Sequence, residues 1–137
     1  MYLGVDWGKK RVGLAIGQEI PYELATLLNN ETLFEKIAGF CEQEKINGII
    51  IGMPVFPSGD PNENADEIEK FGRKLKEIVK KPVFFEPESL TTQTTLDLLR
   101  EEGASPEEIE DKVDQTAAKL ILEQYIANRE ETSQEVL

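Results

Sequence analysis

The chain has 137 residues, with 15 Lys and Arg against 27 Asp and Glu, no histidine, one cysteine and a formal net charge of −12 at pH 7. Without histidine there can be no Ser-His-Asp or Cys-His nucleophilic site and no imidazole base, and the Cys and His ligands of a zinc site are missing. The acid/base and metal-binding groups that remain are mostly carboxylates, which suit hard cations such as Mg2+ and Mn2+.

In chain order, YLGVDW (residues 2–7) is short, apolar and bounded by Gly8, which predicts a strand. Gly8-Lys9-Lys10 reads as a turn, and RVGLAI (11–16) as the second strand of a hairpin. Tyr22 to Leu28, after Pro21, predicts a third strand. Asn30 offers a helix N-cap, and Leu33, Phe34, Ile37, Ala38, Phe40 and Cys41 follow at helical spacing up to Asn47-Gly48. Ile49-Ile50-Ile51 is apolar throughout, as a central strand covered on both sides should be.

A loop is predicted from Gly52 to Pro61, punctuated by proline and glycine. Asn62 is placed to cap a second helix with Ala65, Ile68, Phe71, Leu75 and Ile78 on its apolar stripe and Lys70, Arg73, Lys74 and Lys76 outside. Pro82 stops that helix, and Val83-Phe84-Phe85 predicts a fifth strand. A helix from Thr91 or Thr92 is ended by Gly103. Ser105-Pro106-Glu107-Glu108 then combines a capping Ser, a proline at the first helical position and a Glu three residues on. The helix it starts is continuous or nearly so with the last one, which runs from about Asp114 to about Asn128. The broad apolar face of that last helix, Val113, Ala117, Ala118, Leu120, Ile121, Leu122, Tyr125 and Ile126, suits packing on a sheet.

The order βββαβαβα(α) predicts an α/β domain: a mixed five-stranded sheet, its first three strands antiparallel, with helices on both faces. One domain over residues 1–129 and a polar, acidic tail over 130–137 account for the length. Cys41 lies in an apolar-patterned stretch and has no partner for a disulfide, which predicts a core thiol in a reducing compartment. No basic region leads an apolar stretch at the N-terminus, and no apolar run reaches a membrane span, so a cytoplasmic location is expected. Charge is uneven: residues 1–85 hold 11 basic and 13 acidic side chains, net −2, whereas residues 86–137 hold 4 and 14, net −10.

Three carboxylates draw notice by position. Asp6 ends the first strand, with Gly4 on the same face leaving room for a helix or a phosphate. Glu88 follows the fifth strand, and in open sheets ligands gather beyond the carboxyl ends of parallel strands. Asp114 begins the last helix, with Asp111 one turn earlier. Taken singly, Asp6 is a strand-end residue, Glu86 and Glu88 are solvated loop acids flanking Pro87, and Asp114 is a first-turn acid favoured by the helix dipole. Taken together, acids from two strand ends and one helix start could converge on one or two divalent ions, as phosphoryl chemistry with two metals requires.

Four blocks carry a family resemblance. GVDWGKKRVGLAI at Gly4–Ile16 resembles the opening motif GxDxGxKRxGxA of the YqgF family. IIIGMP at Ile49–Pro54 resembles its VVGLP, PESLTT at Pro87–Thr92 its DERLTT, and VDQTAAKLILEQYI at Val113–Ile126 its IDQLAAVLILQxYL. They occur in the family's order and span nearly the whole chain. The resemblance implies an RNase H-like fold, kinship with RuvC-type Holliday-junction resolvases and a candidate pre-16S rRNA nuclease. It implies Asp6, Glu88 and Asp114 as catalytic carboxylates and ligands of two Mg2+ or Mn2+ ions. Asp111 falls where the resolvase relatives carry a fourth acid. Lys9, Lys10 and Arg11, with the Thr91 and Thr92 pair, are implied to bind substrate phosphates.

Two departures from the family pattern stand out. Its Asp-Glu-Arg is Pro87-Glu88-Ser89 here, which removes an arginine beside the catalytic acid. Its basic stretch before the last helix is replaced by the acidic segment Pro106-Glu107-Glu108-Ile109-Glu110-Asp111. The reading that results is a metal-dependent nuclease acting on structured nucleic acid, pre-rRNA ahead of branched DNA. The alternatives are a Holliday-junction resolvase, for which cutting two strands favours a homodimer, and a non-catalytic module of the same fold that binds RNA or protein. An ATP-binding reading, from the likeness of DWGKKR to the DxGTT phosphate loop of actin-like sugar kinases, ranks last because those enzymes close two domains on a nucleotide.

Overall fold

A computed structural model describes residues 1–54, 64–88 and 106–129, the stretch 106–112 by its backbone alone. Its elements are β1 (Tyr2–Trp7), β2 (Arg11–Gly17), β3 (Tyr22–Leu28), α1 (Leu33–Gln43), β4 (Gly48–Met53), α2 (Ala65–Val79), β5 (Val83–Pro87) and α3 (Pro106–Asn128). The sheet order is β3-β2-β1-β4-β5. Short turns keep β1, β2 and β3 antiparallel, and the longer connections bring β4 parallel to β1 and β5 parallel to β4. The three parallel strands therefore end at one edge.

Strand alternation divides the side chains between two layers. Leu3, Val5, Val12, Leu14, Ile49 and Ile51 pack on one side against Leu33 and Ile37 of α1 and Ile68 and Leu75 of α2. Ile50 faces the other side, where it packs with Ile121, Leu122 and Tyr125 of α3. Helix α3 lies across β1, β2, β3 and β4. It can come close because Gly4 has no side chain: a Cβ there would stand 2.7 Å from the carbonyl oxygen of Ala118.

The mixed sheet, its antiparallel first half and the helices on both faces agree with the sequence reading. Several local features differ. Asn30 is not the cap of α1; its Oδ1 accepts from the Thr32 amide at 2.9 Å and from Thr32 Oγ1 at 2.7 Å, an Asx turn that places Thr32 at the cap position. The cap position of α2 is Asn64, and Asn62 lies outside the described residues. In the α2 stripe Ile68, Phe71 and Leu75 are buried, but Ile78 is 43% exposed. The helix ends at Lys80 with φ 58°, before Pro82.

The last two predicted helices are one, starting at Pro106. This gives the acidic segment 106–111 a structural setting, because acids are favoured in the first turns of a helix. Most of the Gly52–Pro61 loop, the helix expected from Thr91 to Gly103, the cap at Ser105 and the tail 130–137 lie outside the described residues.

Candidate active site

Asp6 pairs with Gly13 across the antiparallel β1–β2 ladder, and Val5 pairs with Ile51 of β4. Asp6 and Gly52 are thus the next residues along neighbouring parallel strands, both on the α3 side. Glu88 follows β5, and its amide donates to the carbonyl of Met53 at 3.1 Å, one step beyond the ladder. A Cβ built on Gly52 would stand 3.2 Å from Glu88 Oε1 and would press into Ile121. Across Asp6, a Cβ on Gly13 would collide with the backbone of Asp114. Asp6, Glu88 and Asp114 therefore come to one sheet edge, on one face, over two bare glycine positions. Each is partly buried.

The basic residues differ in their engagement. Lys9 and Lys10 are exposed in the turn between β1 and β2. That turn is tied down by β3's end: Asn29 Nδ2 donates to the Gly8 carbonyl at 2.7 Å, and the Asn29 amide donates to the Lys10 carbonyl at 2.9 Å. Arg11 Nε donates to Asp114 Oδ2 at 2.9 Å, an ion pair between the first residue of β2 and the third turn of α3. On α2, Arg73 pairs with Glu69 at 2.8 Å and Lys74 Nζ lies 4.8 Å from the centre of the Phe34 ring. Arg73 is thus held on its own helix and Lys74 against the neighbouring α1. The side chain of Asp111 and all of Thr91 and Thr92 lie outside the described residues.

Glu86 departs from the sequence reading. It belongs to β5, not to a solvated loop, and is buried at 7% exposure. Burial raises its pKa above the usual 4.5, against the opposing pull of a hydrogen bond from Gln124. Gln124 Nε2 lies 2.6 Å from Glu86 Oε2 and 2.5 Å from the Pro87 carbonyl, so it fastens the end of β5 to α3 just before Glu88. The glycines are the other parts missed as site-forming: Gly13 and Gly52, each isolated in an apolar strand, are the signal that another backbone or group approaches closely.

Among the described residues no three Asp, Glu or Cys side chains form a group that could hold one metal ion. The donor chemistry nonetheless suits one. Asp6, Glu88 and Asp114 bring hard carboxylate oxygens to the same sheet edge, and Glu88 Oε1 lies 3.2 Å from where a Gly52 Cβ would stand.

This arrangement can be compared with known proteins. The RuvX family model, described as Holliday junction resolvase, matches residues 1–128. The chain belongs to the RuvX family. A relative from Nitratidesulfovibrio vulgaris, named as a candidate pre-16S rRNA nuclease, is 30% identical over 135 residues, covering 95% of each chain. One of the same name from Rickettsia typhi is 29% identical over 126 residues, covering 88% of this chain and 81% of the relative. Among solved structures, Thermus thermophilus RuvC in complex with Holliday junction substrate superposes with a TM-score of 0.60 at 11% identity, covering 98% of this chain and 99% of the other. At that identity the likeness establishes the fold, which is that of RuvC and hence RNase H-like. The RuvX match makes the protein a member of a nuclease family whose substrate is nucleic acid. No helix among the described residues is long and apolar enough to cross a membrane.

Proposed function

We propose that this RuvX-family protein is a cytoplasmic, metal-dependent nuclease that hydrolyses phosphodiester bonds of structured RNA in maturing the 5′ end of pre-16S rRNA. The observation that carries the reading is the delivery of Asp6, Glu88 and Asp114 to one edge of the sheet by two strand ends and a helix seated on Gly13. The names of the relatives support rRNA as substrate. The whole of residues 1–129 serves as one catalytic domain.

Asp6, Glu88 and Asp114 would hold Mg2+ or Mn2+, two ions in all, with Asp111 as a further acid one turn before Asp114. The chemistry supplied by bound ions is activation of the attacking water and offset of charge on the leaving oxygen. The chain's own groups do the rest. Lys9 and Lys10, exposed in an anchored turn, attract the phosphate backbone toward Asp6. Arg11 is placed to take a phosphate at the same edge, and Thr91 and Thr92 would bind substrate phosphate as the family motif implies. Gly13 lets the Asp114 backbone seat on β2, and Gly52 makes room for Ile121 and the Glu88 carboxylate, so that both acids reach the edge that holds Asp6. Gln124 holds the β5 end that presents Glu88.

A second reading, cleavage of a four-way DNA junction, follows from the family description and would call for a homodimer that cuts two strands. Single-turnover cleavage with Mg2+ or Mn2+ separates the two. The RNA reading expects cleavage of a 5′-extended 16S precursor and little of a DNA junction, and the reverse result favours the resolvase. In both, Asp6→Asn abolishes cleavage while the melting temperature holds; unchanged cleavage by that variant overturns the assignment.

A further inference from the structure

Asp114 is located by two separate contacts. Its backbone rests over Gly13, which fixes the helix against β2. Its carboxylate is drawn sideways along β2 by Arg11, whose Nε lies 2.9 Å from Oδ2. Trp7 pairs with Val12, so Arg11 stands just past the end of β1, at the same edge as Asp6. Both side chains of the pair reach solvent, at 29% for Arg11 and 19% for Asp114. A guanidinium can change partner at that exposure without any movement of the strand.

From this geometry we infer that Arg11 is a latch on Asp114: it holds the carboxylate while the site lacks a cation, and exchanges it for a phosphate when nucleic acid arrives, releasing Asp114 as a metal ligand. The inference rests on the proposed metal-dependent reading. Three acids brought to one edge repel each other, and an arginine beside one of them offsets part of that charge. The oxygen that Arg11 occupies is one a cation would need. Carboxylate and phosphate are both matched by the planar fork of guanidinium, so a phosphodiester is a direct competitor for Arg11. Lys9 and Lys10, immediately before Arg11 and exposed, raise the local concentration of that competitor. The consequence is reciprocal coupling: nucleic acid tightens metal binding, and metal tightens nucleic-acid binding by the same factor. The protein then binds divalent ions weakly until substrate is present.

Arg11 acts here through Asp114 and is a positioning residue until the exchange. The test is Mn2+ binding by calorimetry, which needs no turnover. Arg11→Gln is expected to bind Mn2+ about tenfold more tightly than the wild type in the absence of nucleic acid, the size of a typical coupling. The gain should vanish when Asp114→Asn is added, because the competition is for that carboxylate. A phosphorodithioate-linked hairpin, chosen to resist hydrolysis, should tighten Mn2+ binding by the wild type and leave Arg11→Gln unchanged. Mn2+ affinity equal to or below that of the wild type in a folded Arg11→Gln overturns the latch. Should Arg11→Gln fail to fold, Arg11→Lys decides: a point charge without the fork is expected to bind Mn2+ with intermediate affinity, and wild-type affinity or weaker overturns the latch. Mn2+ binding that ignores Arg11 sinks the latch alone. Absence of Mn2+ binding in every variant, with or without the hairpin, sinks the metal reading and the latch with it.

Discussion

The two faces of the sheet are built from the same strands and do different work. Toward α1 and α2 the strands present Leu3, Val5, Leu14, Ile49 and Ile51, all fully buried. Toward α3 the same strands present Gly4, Gly13 and Gly52, with Asp6 beside them and Glu86 on β5. One face gains stability by filling space, since each large aliphatic side chain removed from water contributes about 1.5–3 kcal/mol. The other gives up that burial at its glycines so that a helix backbone and a set of carboxylates can approach. The period of two along a strand makes this division possible within single residues of each other.

The division can be broken from either side, and the largest stability effect should come from the filled face. Ile49→Ala removes a fully buried side chain between α1/α2 and the sheet and should cost about 4 kcal/mol by denaturant unfolding. Cleavage per folded molecule should hold at a permissive temperature, because Ile49 faces away from the carboxylates. Gly13→Val acts in the opposite sense. Its side chain would strike the Asp114 backbone, so a stability loss of about 3 kcal/mol should come with cleavage reduced beyond detection. Retained cleavage in that variant would mean that the seating of α3 on β2 does not place Asp114.

Gln124→Leu should cost about 2 kcal/mol, because Glu86 is left buried without its donor. Cleavage should fall more than stability, since the strand end before Glu88 is unfastened. Glu86→Leu combined with Gln124→Leu should recover most of the stability, as both polar partners are then gone. The smallest effect is alkaline. Burial pushes the Cys41 thiol from 9.0 up to about 11. Between those values the unfolded thiol loses its proton while the folded one keeps it, so stability falls as pH rises through that window. The loss by pH 10 should be about 1 kcal/mol, and Cys41→Ala should flatten that part of the pH profile.

The sequence was most legible where chemistry is local. Gly8, Pro21, Gly48 and Pro82 bound the strands, and the apolar run at Ile49–Ile51 marks the central one. Asp6 and Glu88 stand at strand ends as read, whereas Asp114, read as beginning the last helix, lies in its third turn because that helix starts at Pro106. What could not be read depends on contacts across the fold. Glu86 looks like a loop acid because the apolar run stops at Phe85, yet β5 continues and Gln124, 38 residues on, supplies the bond that accompanies its burial. The Arg11–Asp114 pair spans 103 residues. Asn30 has the right side chain for a cap, but its bonds to Thr32 delay the helix by a turn's start. Ile78 follows the α2 stripe by spacing and is 43% exposed, while its neighbour Val79 packs against the core.

The measurement that bears most directly on the central claim is anomalous diffraction from crystals soaked in Mn2+ above its solution Kd. Mn2+ is expected at the sheet edge, with oxygen ligands from Asp6, Glu88 and Asp114 and with Arg11 turned away from Asp114 Oδ2. Mn2+ bound elsewhere, or a carboxylate edge left empty with Arg11 still on Asp114 under those conditions, would contradict it.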